Sequence, residues 1–161
     1  MPMRIGTSLP SLEGATEWLH GSADEALKDA EGRPVLIHFW SVSCGMCKDN
    51  LPTVAEWREK YAPAGLRLIA IHMPRYPEDT NVDSVRETAA KYGITEPRAV
   101  DNEHKLRDAF LNEHGYVPAY YLFDEDHKLK SFAAGEYGTR VMGPALERLF
   151  GASTSAKSAS N

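Results

Sequence analysis

Phe39-Trp40-Ser41-Val42-Ser43-Cys44-Gly45-Met46-Cys47 decides the fold: an apolar run stops at two cysteines with two residues between them, the only cysteines in the chain. Just upstream, Val35 to Trp40 is nearly continuous in apolar, β-branched and aromatic residues, which is how a strand buried on both faces reads. Downstream, a helical pattern runs from Cys44 to about Tyr61, with Cys47, Leu51, Val54, Ala55 and Tyr61 on roughly one side and Pro52 interrupting it. A cysteine pair at this spacing can close a small disulfide. If the helix opens at the motif, the first sulfur sits at its N-terminus, where free N–H groups and the dipole stabilise a thiolate. Such placement lowers a cysteine pKa from about 8.5 into the range of roughly 3.5–7.5. Cys44 is therefore the expected nucleophile, and Cys47, one turn further in and facing the core, the expected resolving thiol. Ser43 is placed to cap the helix.

Working outward, Ser22 to Leu27 can start a short helix ended by Gly32 and Pro34, while Gly6 to Gly21 reads as an irregular arm or short strand. After the cysteine helix, Pro63 and Gly65 turn the chain into Leu66 to His72, a second buried strand. Strand, helix and strand imply a right-handed βαβ unit with a parallel pair. A Pro-containing loop over residues 73–80 follows. Next come an amphipathic helix over 83–92 stopped by Gly93, a short strand over 98–101 and a helix over about 103–111. Val117-Pro118 precedes a strand over 119–123, a turn at 124–127, a strand over 129–133 and a last helix over 139–150.

At 161 residues, the chain is long enough for one core without disulfide staples. The expected organisation is a single domain over 1–151 and a disordered Ser/Ala tail over 152–161. A net charge of −5 argues against nucleic acid as partner. Two cysteines are too few for a secreted disulfide framework, which leaves catalysis or metal binding. The N-terminus lacks an apolar signal region and no stretch reaches the length of a membrane span, so a cytoplasmic protein with no membrane contact is expected.

The order of strand, CxxC helix with an interior proline, strand, inserted helix and strand, then Val-Pro before a hairpin and a final helix, resembles the thioredoxin superfamily. Over Cys44 to Asp101 it is similar to the TlpA/ResA-type redoxins, with Trp40 on the strand that enters the helix and the insertion at about 73–101. The resemblance covers about residues 33–150. It implies an α/β thioredoxin-like fold, with a mixed central sheet flanked by helices on both faces. Position by position, Cys44 matches the exposed attacking cysteine and Cys47 the buried resolving one. Pro118 matches the proline that follows a cis bond beside the cysteines. A cis X–Pro bond is cheap only for proline, and it would let Val117, with Trp40 nearby, bind substrate backbone by strand addition.

The chain departs from the family at three places. Ser43 replaces a common aromatic residue, His38 stands where thioredoxin has a buried acid, and Asn50 where some ResA-type members carry a glutamate. The usual buried carboxylate is thus absent from both positions, and His38 is the candidate to move the Cys47 proton. The alternative is a neutral core histidine.

Cys44, Cys47 and His72 make a poor tetrahedral set, so no metal is expected, and no cofactor beyond the redox-active Cys44–Cys47 disulfide. His104, His114 and His127 read as surface residues. Lys48 reads as a solvated helix-face lysine and Trp57 and Tyr61 as packing. The implied activity is thiol–disulfide exchange. It would reduce a disulfide-bearing client protein or a small thiol's disulfide, with an external electron donor, in a monomer. With neither charge nor histidine in Gly45-Met46, the potential should lie nearer thioredoxin's, roughly −270 mV, than DsbA's, roughly −120 mV. The alternatives are a peroxide-reducing redoxin, or a non-catalytic module that binds through the Val117-Pro118 groove.

Overall fold

The computed structural model describes residues 2–159, with side chains through Gly151. The strands are β1 (Glu17–His20), β2 (Val35–Trp40), β3 (Arg67–His72), β4 (Arg98–Val100), β5 (Ala119–Phe123) and β6 (Leu129–Ala134). The helices are α1 (Ala23–Asp29), α2 (Gly45–Tyr61), α3 (Val82–Lys91), α4 (Lys105–Ala109) and α5 (Gly138–Ala159). The expectation for the tail over 152–161 falls outside the residues described with their side chains.

The strands form one sheet in the order β1-β4-β3-β2-β5-β6. The β2–β3 and β3–β4 pairs are parallel, and β1–β4, β2–β5 and β5–β6 antiparallel. This is the mixed sheet expected, and β2, the most apolar strand, lies inside it with every residue buried. Alternation along β2 sorts its side chains to two faces. Val35, Ile37 and Phe39 join Ala23 and Ala26 of α1, Leu106 of α4, Phe110 and Tyr121 in one core cluster. On the opposite face, Leu36 packs with Val54, Trp57 and Tyr61 of α2 and Met142, Ala145 and Leu146 of α5. Trp40 packs there with Cys47 and Leu51 of α2 and Val85 and Ala89 of α3. Helices therefore cover both faces, and α2 lies over the end of β2 that leads into the cysteines.

The irregular arm proves to contain an edge strand, β1, joined to β4. Helix α4 is shorter than expected because left-handed residues flank it, His104 (φ 61°) before and Leu111 (φ 56°) after. Pro52 does not break α2, which runs continuously through it.

Candidate active site

The chain leaves β2 at Trp40 and turns tightly, with the Cys44 N–H donating to the Ser41 carbonyl at 3.1 Å. Helix α2 then begins, capped by Cys44 itself: its backbone is extended (φ −95°, ψ 102°) and its Sγ accepts from the Cys47 N–H at 3.0 Å. This corrects the expectation for Ser43. Its hydroxyl is drawn away to Asp79, which leaves the sulfur to satisfy the orphan first-turn donor. Cys44 and Cys47 are joined in a disulfide, Cα to Cα 5.2 Å.

A second correction concerns exposure. Cys44 is 3% accessible and Cys47 2%, so in the disulfide form the attacking cysteine is as covered as its partner. Both belong to the cluster around Trp40, with Val117 packed against it. The Val117 carbonyl lies 3.7 Å from Cys44 Sγ, and the Val117–Pro118 peptide is cis. The structure thus brings Trp40, Cys44, Cys47, Val117 and Pro118 together from two distant stretches of the chain. Met46, 41% exposed, carries the apolar surface of the motif.

Asp79 holds the turn between β2 and α2 in place. The buried Oδ2 accepts from Ser43 Oγ at 2.7 Å, Ser41 Oγ at 3.0 Å, and the backbone N–H groups of Arg75 at 2.9 Å and Tyr76 at 3.1 Å. Burial pushes this carboxyl up, but the bonds from Ser43, Arg75, Ser41 and Tyr76 outweigh it, so its pKa lies below the ordinary value. The Arg75 guanidinium completes the clamp, donating to the Ser43 carbonyl at 2.7 Å and to Ser43 Oγ at 3.2 Å.

His72 supports the same turn from β3. Its Nε2 accepts the Val42 N–H at 3.1 Å, so the ring proton sits on Nδ1, which is buried without a partner among the described residues. The ring meets Trp40 edge-on at 4.9 Å. With Nε2 engaged it is not poised as a ligand beside the cysteines. Among the described residues, no three His, Cys, Asp or Glu side chains converge as metal donors.

Burial lowers the His72 pKa from 6.5 to about 4, against a smaller opposing effect of the Asp79 charge. The unfolded chain therefore takes up this proton first on acidification. The stability from the neutral ring is complete above pH 6.5 and is lost as pH falls through about 4. Wild-type protein should lose about 2–3 kcal/mol between roughly pH 7 and roughly pH 4.5 from this residue. Urea unfolding of wild type and His72→Gln across that window checks it. An equal pH slope in the two proteins would remove His72 as the cause.

His38, on the same face of β2 as Trp40 and about 6.6 Å further down the strand, does not stand alone. Its Nε2 lies 2.6 Å from Glu96 Oε1, while Glu96 Oε2 accepts from Arg58 Nε at 2.7 Å and pairs with Nη2 at 2.6 Å. A buried carboxylate is therefore present after all, supplied from the loop before β4, 58 residues after His38. Burial pushes the Glu96 carboxyl up, but the hydrogen bond and charge of His38 and the charge of Arg58 hold it at about 2.

Glu96, Asp79 and Arg75 were not foreseen. Each lies in a Pro-containing segment with no hydrophobic periodicity, where the sequence marks no charge as buried. Of the histidines read as surface residues, His104 and His127 are half-buried. The His104 Nε2–H donates to the Pro74 carbonyl and the His127 Nε2–H to the Ala30 carbonyl.

The AhpC/TSA family model matches residues 5–132. The chain belongs to the AhpC/TSA family. It is 42% identical over 147 residues to the thiol-disulfide oxidoreductase YkuV of Bacillus subtilis, covering 91% of this chain and 97% of that one. It is also 29% identical to the thiol-disulfide oxidoreductase ResA of Bacillus thuringiensis, over 83% of this chain and 72% of that protein. The solution structure of a thioredoxin-like protein in the oxidised form superposes with a TM-score of 0.81 at 40% identity, over 92% of this chain and 98% of the other. This AhpC/TSA member is thus a thiol-disulfide oxidoreductase of the thioredoxin superfamily, TlpA/ResA type, with the CxxC pair at Cys44 and Cys47.

Proposed function

We propose that this oxidoreductase works as a dithiol reductant. The Cys44 thiolate attacks a disulfide, Cys47 resolves the resulting mixed disulfide, and an external donor restores the dithiol. The observation that carries this reading is the setting of Cys44 Sγ, 3.0 Å from a helix N-terminal N–H and 3.7 Å from the Val117 carbonyl. The first contact stabilises negative charge on sulfur. The second places the backbone ahead of Pro118 beside the reacting atom, where an extended client segment can pair with it while Trp40 floors the groove. The client is a protein or small-molecule disulfide, and the protein acts as a cytoplasmic monomer. His38 is the proton-transfer residue for Cys47, held through Glu96. Support is positional: it shares the strand face on which Trp40 packs with Cys47.

The deciding experiment is the reduction potential of the Cys44–Cys47 pair, from equilibration in defined thiol buffers and counting of alkylated cysteines by mass. A value nearer roughly −270 mV than roughly −120 mV is expected, since neither intervening residue carries charge. A strongly oxidising value would reverse the direction, and no disulfide at any poise would favour the non-catalytic binding module. For His38, the pH dependence of Cys47 alkylation should move in His38→Asn. An unmoved profile would make the histidine purely structural.

A further inference from the structure

At the loop that clamps the cysteine turn lies a cavity of about 340 Å³ whose polar lining is basic: Arg75, Arg107, His104 and His114, with Tyr76 and Gly115 at its walls and no carboxylate among its lining residues. This concentration runs against a chain of net charge −5. Two of the four are arginines, charged at any working pH. Both are held by contacts that leave donors over. Arg75 uses Nε and Nη2 on Ser43, and Arg107 uses Nε and Nη2 on Asp108 Oδ1, at 3.2 and 3.1 Å. Among the described residues, neither Nη1 donates to anything. The backbone of Arg107 is fixed by its N–H donating to the buried Asp101 Oδ2 at 2.8 Å. The acids near these cations are Asp79, which accepts the Arg75 N–H and shares Ser43 Oγ with its guanidinium, Asp108 on Arg107, Asp101 beneath it and Glu113 beside His114.

Two of the cavity's lining residues connect to the cysteine site. Arg75 bonds the Ser43 carbonyl, one residue before Cys44, and Gly115 lies two residues before Val117, whose carbonyl faces Cys44 Sγ. Its volume is at the lower end of small-ligand pockets, enough for the arm of a small molecule.

We propose that this cavity is an anion subsite, which holds a carboxylate of a small disulfide substrate while Cys44 attacks its sulfur. The proposal rests on the reductase reading above and names its substrate class. The Cys44 thiolate attacks one sulfur of the substrate, forming a Cys44–substrate disulfide and releasing one substrate thiolate. The Cys47 thiolate then attacks Cys44 Sγ, forming the Cys44–Cys47 disulfide and releasing the second. Two electrons pass from the dithiol to the substrate, and solvent protons complete the two product thiols.

The test uses full-length, pre-reduced protein in single turnover with three disulfides of similar size. These are dithiodipropionate (anionic), bis(2-hydroxyethyl) disulfide (neutral) and cystamine (cationic), each rate divided by that of dithiothreitol with the same compound. The anionic disulfide should be preferred over the neutral one by about tenfold, with the cationic one slowest. The preference should shrink with rising salt and fall to near unity in Arg107→Gln. Reduction of the neutral disulfide with no anionic preference would overturn the subsite alone, as would a full preference in Arg107→Gln or one indifferent to salt. Failure to reduce even the neutral disulfide would overturn the reductase reading, and the proposal with it.

Discussion

Cys44→Ser should lower disulfide reduction by more than about a thousandfold while leaving α2 intact, because a serine hydroxyl is a poor nucleophile but a good cap. In the native chain, Cys44 Sγ both accepts the Cys47 N–H and faces the Val117 carbonyl. A serine oxygen can keep the first contact and not the chemistry. Cys47→Ser should lower steady turnover by a similar order for the opposite reason: attack still occurs, but nothing resolves it. The two variants therefore separate by mass. Cys47→Ser incubated with a disulfide accumulates a covalent adduct on Cys44, and Cys44→Ser does not. Adduct formation on Cys47 in Cys44→Ser, at a rate comparable to that of the other variant, would reverse the assigned roles.

The parts of this site that could be read beforehand are those written in local spacing. The buried run from Val35 to Trp40, the cysteine pair that opens a helix and the second apolar strand from Leu66 produce β2, α2 and β3 through short-range periodicity and a right-handed crossover. Val117-Pro118 was legible through the family resemblance and the backbone constraint of proline. The misreadings share one physical origin. Ser43 is well placed as a cap when only its neighbours are considered, but a carboxylate 36 residues later, Asp79, binds its hydroxyl at 2.7 Å. The missing buried acid had moved to Glu96, which reaches His38 across 58 residues. Pairings of this kind depend on where loops end in space, and loops carry no repeating pattern to reveal it.

Asp79 and Glu96 hold different parts of the site. Asp79 collects four donors on one oxygen and ties the turn before Cys44 to the loop that carries Arg75. The proposed anion subsite and the nucleophile therefore share one scaffold: a shift of the 75–79 loop moves the backbone of Ser43 as well. Glu96 acts lower, between β2 and α2, where it joins His38 to Arg58, eleven residues beyond Cys47 on the helix.

That position makes Glu96→Ala the substitution with the largest expected cost in stability, about 3–5 kcal/mol, because it takes the carboxylate from His38 and from Arg58 Nε and Nη2, leaving Arg58 only the Gly93 carbonyl, at a site where the carboxylate is only 3% exposed. Glu96→Gln keeps the shape and one acceptor and should cost less, about 1–3 kcal/mol. The pH dependence identifies the charge as the cause. Folding lowers the Glu96 pKa from 4.5 to about 2. The ionised group thus contributes its full stability above pH 4.5 and loses it as pH falls through about 2. The gap between wild type and Glu96→Gln in urea unfolding should therefore be constant near neutrality and narrow below about pH 4.5. A gap that stays constant down to the acid limit would mean that Glu96 supports the fold through packing alone. In that case His38 would be held without a charged partner, and the case for a proton path to Cys47 would lose its anchor.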